Sequence, residues 1–252
     1  MRYIPLLITL SILTISTSYA YGTDGCDSSA VLVSHFGQKL SSTLPIDEDC
    51  IGNGKHVFTA VNQAALQTTN VKFAPVSAIF TSNDGSEDYY TVPDSEDWNF
   101  GTGDFTVDFW VAHSSVSANW YYFRAGDQTT DGIQIGHADV AGTGKFRVTI
   151  NGTDNDITWV PDTVGYIHIA VVRKGSTITV YIKGLSIGSF ANSSNITSGT
   201  AGLIIGMFSN DNDDLIRMDE IRITKGKARW SANFTPPTTQ YCSGCEMIGA
   251  FD

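Results

Sequence analysis

The chain has 252 residues and a formal charge of −11, from 15 Lys and Arg against 26 Asp and Glu. That balance argues against nucleic acid as a partner, because holding a polyphosphate backbone needs a basic stripe that releases counterions. Here the acids cluster instead, as in Asp94-Ser95-Glu96-Asp97 and Asp211-Asn212-Asp213-Asp214.

Met1 to Ala20 has one early charge, Arg2, an apolar run from Ile4 through Ile15, and small residues at the Ser18-Tyr19-Ala20 end. This pattern predicts a secretory signal over residues 1–20 and an exported mature chain. Its loss would leave 14 basic against 26 acidic residues, a charge of −12. The apolar run is too short for a bilayer span, and no later segment approaches the ~20 apolar residues that one requires. Cys26 and Cys50 near one end and Cys242 and Cys245 near the other are expected to be oxidised in such a compartment. Three pairings are open, and a four-thiolate zinc site is the alternative. Cys242-Ser243-Gly244-Cys245 opens no helix-forming stretch, unlike a thioredoxin-type pair. From Ile51 to Leu66 the pattern is indistinct, and Asn62 to Leu66 is compatible with one helical turn.

Beyond this point alternation dominates, and the chain reads as all-β. Phe105, Val107, Phe109 and Val111 share one face of a strand, with Thr106, Asp108 and Trp110 on the other. Phe146, Val148 and Ile150 form a strand that reaches the turn signal Asn151-Gly152 and returns through Ile157 and Trp159. A further hairpin climbs through Ile169 to Arg173, turns at Lys174-Gly175 and descends with Ile178, Val180 and Ile182 on one side. Many short strands without a linker or repeat predict one two-sheet antiparallel β-sandwich over residues 21–238, followed by a short cysteine-containing tail, 239–252.

Few constellations in this chain support catalysis. A jelly-roll glycosidase places two glutamates on one strand, as Glu-x-Asp-x-Glu, so that both point into one groove. The five glutamates, Glu48, Glu87, Glu96, Glu220 and Glu246, never stand two or four apart. Gly184-Leu185-Ser186-Ile187-Gly188 spells a nucleophile elbow, but no helix pattern follows it. Tyr122-Phe123-Arg124, with Gln134-Ile135-Gly136, lacks the Gln-x-His pair of a jelly-roll lyase, and the five histidines show no metal-ligand spacing. No enzyme activity is expected. Neither acidic run fits an EF-hand, since the sixth and twelfth positions from Asp211 are Ile216 and Arg222. Strand alternation places Asp219 with Ile221 and Ile223 on the apolar side, where a carboxylate must be paired, hydrogen-bonded or coordinated. Trp110, Trp120 and Tyr122 are the candidates for rings on a concave binding face, because aromatic faces stack on sugars.

The stretch Asp219-Glu220-Ile221-Arg222-Ile223 … Gly226-Lys227-Ala228-Arg229-Trp230 … Phe234-Thr235-Pro236-Pro237 resembles the closing signature of laminin-G-like, concanavalin A-like jelly-roll domains of secreted bacterial and phage structural proteins. Asp104 to Trp110 and His168 to Ser176 add to the likeness, which runs from about Ser28 to Thr238. The resemblance implies adjacent first and last strands, and hence at least one bridge from the Cys26/Cys50 region to Cys242 or Cys245. It also implies a structural Ca²⁺ held by Asp219 together with oxygens of the Ser82–Asp88 loop, Asp84 among them. The expected role is a secreted, non-catalytic domain that binds a glycan or an extracellular protein in adhesion or attachment. The alternatives are a structural appendage of an extracellular or virion assembly and, more remotely, a polysaccharide-cleaving enzyme.

Overall fold

A computed structural model describes residues 27–36, 56–81, 86–114, 119–127, 129–209 and 215–241. The predicted signal, all four cysteines and Asp84 lie outside the described residues. Fifteen strands fill the described chain: β1 (Ala30–Ser34), β2 (Thr59–Val61), β3 (Ala65–Gln67), β4 (Ser77–Thr81), β5 (Tyr89–Val92), β6 (Phe105–His113), β7 (Asn119–Ala125), β8 (Ile133–Val140), β9 (Thr143–Ile150), β10 (Thr153–Thr158), β11 (Ile167–Lys174), β12 (Thr177–Ile182), β13 (Leu185–Ala191), β14 (Leu203–Ser209) and β15 (Leu215–Lys225). Among the described residues the helical content is one 3-10 turn, Glu96–Trp98, and no helix is long and apolar enough to cross a membrane.

The strands form two antiparallel sheets. One has eight strands in the order β13-β12-β11-β6-β15-β4-β3, with β1 also on β15; the other has seven, β10-β9-β8-β7-β14-β5-β2. Alternation sets which side chains meet between them. Phe105, Val107, Phe109 and Val111 of β6, and Ile178 and Val180 of β12, point inward against Phe146, Val148 and Ile150 of β9, all of them buried. The β9–β10 hairpin turns at Asn151-Gly152, whose positive φ values of 48° and 75° are those a two-residue hairpin turn requires. Residues 62–66 form no helical turn: Asn62 and Gln63 make the turn between β2 and β3.

The one strand that defeats simple alternation is β15. Its first half, Leu215–Met218, pairs with β4 and its second, Ile221–Thr224, with β1, while β6 runs along both. Between the halves the register on β6 shifts, and Glu220 has φ 55°, so one extra residue is absorbed as a bulge. Ile216 and Met218 point inward before it, and Ile221 and Ile223 after it. Asp219 is thereby turned to the outer side, opposite Trp110, and does not share the face of Ile221 and Ile223 as unbroken alternation predicts.

Candidate functional site

The outer faces of the two sheets differ in what covers them. On the eight-stranded sheet every residue of β6 is buried, including the outward Thr106, Asp108 and Trp110. The cover is the chain after β15. Thr106 accepts from the Arg229 N–H and donates to the Lys227 carbonyl, tying the Gly226–Arg229 segment down. Trp230 and Phe234 then stack at 3.9 Å and pack on Ala170, Val172 and Tyr181. The Phe234 N–H donates to Gly184, where a Cβ would stand 1.9 Å from the Phe234 carbonyl oxygen, so the approach requires glycine. The would-be elbow is thus the end of the β12–β13 turn, at Gly184, and the start of β13, Leu185 to Gly188.

Beneath this cover lies a dry charge network. Arg222 holds Asp108 through Nε and Nη2 at 3.0 and 2.8 Å. Tyr241 donates its hydroxyl to Asp108 at 2.6 Å and its N–H to Glu220, which also holds His35. The Tyr241 hydroxyl is 3.0 Å from His168 Nε2, and Arg222 lies over the Tyr241 ring. Burial alone would raise the Asp108 pKa; the Arg222 charge and the His168 ring outweigh it and hold the carboxylate well below its ordinary value. Tyr241, assigned from sequence to the tail beyond 238, is fully buried and belongs to the sandwich.

Asp219 sits at the edge of the same face. Its Oδ2 accepts the N–H groups of Lys72 and Phe73, both at 3.1 Å, while its Oδ1 has no hydrogen-bond partner. Burial pushes its pKa up to about 7, with the neighbouring Glu220 adding to the rise against the two backbone donors. Lys72 lies over the Trp110 ring at 3.9 Å. Among the described residues no group of three or more His, Cys, Asp or Glu is placed to hold a metal, and Asp84, expected to share the calcium with Asp219, lies outside them.

The aromatic candidates are also covered. Trp120 and Tyr122 are fully buried in the core, Trp120 stacked on His113 and Tyr122 bonded to it at 2.8 Å, and neither ring can meet a ligand from solvent. Trp120 and Tyr122, two residues apart, share the inner side by ordinary alternation, and the register shift between Tyr121 and Phe123 brings Phe123 inside as well. Trp110 does face outward as expected, but under Phe73, Lys72 and His168. Among the described residues, half-buried rings reach the outer face of the seven-stranded sheet at Tyr121 on β7 and at Tyr89 on β5, and Tyr121 is the one beside the strands β8–β10.

On the seven-stranded sheet the outer face of β7–β10 carries a depression of about 280 Å³. Its floor follows from strand pairing. Arg124, Gln134, Thr149 and Asp154 stand opposite one another across β7–β10, and Tyr121, Gly136, Arg147 and Asp156 form the next row. The Tyr121 ring overlies Gly136, where a Cβ would come within 2.9 Å of it. Arg147 is clamped by Asp156 through Nε and Nη2, at 2.7 and 2.8 Å, and by Asp154 through Nη1 at 2.9 Å. Thr149 donates to Asp154 at 2.6 Å. Gln134, 3% exposed, has an amide oxygen without a partner. Thr129 and the tip glycine Gly152 close one end. Residue-type scanning missed this site because it needs one outward residue from each of four strands.

A family model described as Concanavalin A-like lectin/glucanases superfamily, of the laminin-G type, matches residues 84–229. The chain belongs to that superfamily. A search of curated proteins finds no match. Solved structures similar to this superfamily member include botulinum neurotoxin type C, described as interacting with two ganglioside molecules, at 14% identity and a TM-score of 0.59 over 79% of this chain and 48% of that one. Another is the binding domain of botulinum neurotoxin DC in complex with rat synaptotagmin II, at 13% identity and a TM-score of 0.60 over 79% and 49%. The chain spans about half the length of these structures, and at such identity the likeness is one of fold.

Proposed function

We propose that this domain is a secreted, non-catalytic binding module that recognises a glycan on an extracellular surface, in adhesion or attachment, through the open face of its seven-stranded sheet. The observation that carries the reading is the depression itself, in which one aromatic ring borders a floor of hydrogen-bonding side chains from β8, β9 and β10. A sugar offers the complement, an apolar C–H face with a rim of hydroxyls. That fold neighbours are described with gangliosides and with synaptotagmin supports glycan or protein partners for such a sandwich.

Two observations favour binding over cleavage. The carboxylates in and beside the depression, Asp154 and Asp156, both grip Arg147, and hydrogen bonding to that guanidinium lowers the Asp156 pKa, the reverse of what a proton-donating acid needs. Of the glutamates, Glu220 is buried beneath the opposite face. A glycan array probed with the mature protein, in Ca²⁺ and in chelator, tests the reading. Binding that is lost on Tyr121→Ala supports it, and an array without signal, or release of reducing sugar from any bound polysaccharide, overturns it. The chelator arm reports separately on the calcium expected at Asp219.

A further inference from the structure

Resting on the glycan reading, we propose that the depression between β7 and β10 selects neutral, hydroxyl-rich sugar units and rejects acidic ones, and that the Asp154–Arg147–Asp156 clamp sets this choice. Among the lining residues Arg147 carries the one positive charge, and it faces two carboxylates at once. Three of its N–H groups are committed, Nε and Nη2 to Asp156 and Nη1 to Asp154. The triad therefore carries a net negative charge, and a bound carboxylate, sulfate or phosphate would have to displace one of the two acids to reach the guanidinium. Bidentate pairing of the Asp156 kind is the strongest geometry available to arginine, so an acid that displaced it would gain no better pairing and would meet the repulsion of the carboxylates it released.

The cations outside the depression do not reverse this. Arg124 stands beside Gln134 in the same row and is attracted by Glu87 and Asp127. Lys145 binds Thr158 at 2.9 Å, with Asp156 also within its field. The long-range field is also unfavourable to anions, since the chain carries −11.

What the floor does offer is matched by hydroxyls. Asp154 and Asp156 keep lone pairs beyond those used by Thr149 and Arg147 and can accept O–H donors. The Gln134 amide is nine-tenths buried, with its oxygen unpartnered, and leaving such an acceptor unmade is expensive, so a ligand donor that reaches it gains more than at an exposed amide. Tyr121 supplies the ring at the border.

The test uses matched oligosaccharides of glucose, galactose and mannose and their C6-oxidised uronate counterparts, titrated against the intact protein by calorimetry. The wild type is expected to bind at least one neutral series ten-fold or more tighter than its uronate partner. Asp154→Asn with Asp156→Asn frees Arg147 and should close or reverse that gap, while Gln134→Leu should weaken the neutral series without restoring the acidic one; melting curves establish that each variant is folded. Equal or tighter uronate binding by the wild type overturns the neutral selection and leaves the glycan reading standing. Neutral binding that is indifferent to both Gln134→Leu and Tyr121→Ala would place the site elsewhere and overturn the neutral selection together with the assignment of glycan binding to this face. Failure of every saccharide to bind overturns both.

Discussion

The outer face of the eight-stranded sheet and the outer face of the seven-stranded sheet both carry arginine–aspartate pairs, yet the pairs do different work. Arg222–Asp108 is sealed under Trp230, Phe234 and Tyr241, its carboxylate shared with a tyrosine hydroxyl. Arg147–Asp156 lies half-exposed beside a depression. Water decides the difference. In the covered network each group has given up its hydration and depends on its partners, whereas on the open face solvent can replace either partner at small cost. The first face is therefore a fastening and the second a surface free to exchange its contacts for a ligand's.

The largest effect expected from breaking this contrast is on the covered side. Arg222→Met leaves Asp108 buried without its cation and should destabilise the protein by about 3–5 kcal/mol in urea unfolding. A loss under about 1 kcal/mol would mean that water reaches the pair and that the two faces are alike. Next comes pH. The Asp219 pKa is raised from 3.8 to about 7, so the folded state binds the proton more tightly than the unfolded one. Its contribution is fully present below about pH 4 and is lost as pH rises through 7, at about 1.4 kcal/mol per unit.

His113, whose pKa burial and the neighbouring His137 push down to about 3, acts with the opposite sign. It favours the fold above pH 6.5 and loses that contribution as pH falls towards 3. The two terms oppose each other across the window. Asp219→Asn should remove the first, leaving melting temperatures that climb from pH 4 to 7 more steeply than the wild type's. Identical pH profiles for the two proteins would show that Asp219 titrates normally and is wetted. The smallest stability effect belongs to the open face. Arg147→Met should cost no more than about 1 kcal/mol, while changing saccharide binding; a loss as large as that of Arg222→Met would show that the open pair is also a fastening.

Much of the sandwich was legible in the chain. The inward set of β6, the Asn151-Gly152 turn and the hairpin of β11 and β12 follow from period-two alternation and from residues that tolerate positive φ. Asp219 was misplaced because a single extra residue at Glu220 reverses the side on which everything beyond it points, and no residue type announces such a bulge. Trp120 and Tyr122 were misassigned for a different reason: alternation puts them on one face and Tyr121 on the other, but which of the two faces meets the core is set by the packing of the sheets.

The amino-acid sequence alone determined the all-β class, the acidic surface, the motifs that mark the superfamily and the absence of a paired-glutamate strand, since each is a property of spacing along the chain. Only the tertiary structure decided which sheet face is covered and which is open. That depends on where the segment after β15 lies, through contacts such as Tyr241 to Asp108, which are 133 residues apart. The depression is of the same kind. Tyr121, Gln134, Arg147 and Asp154 become neighbours through the register of four strands, and register is set by packing across the whole sandwich.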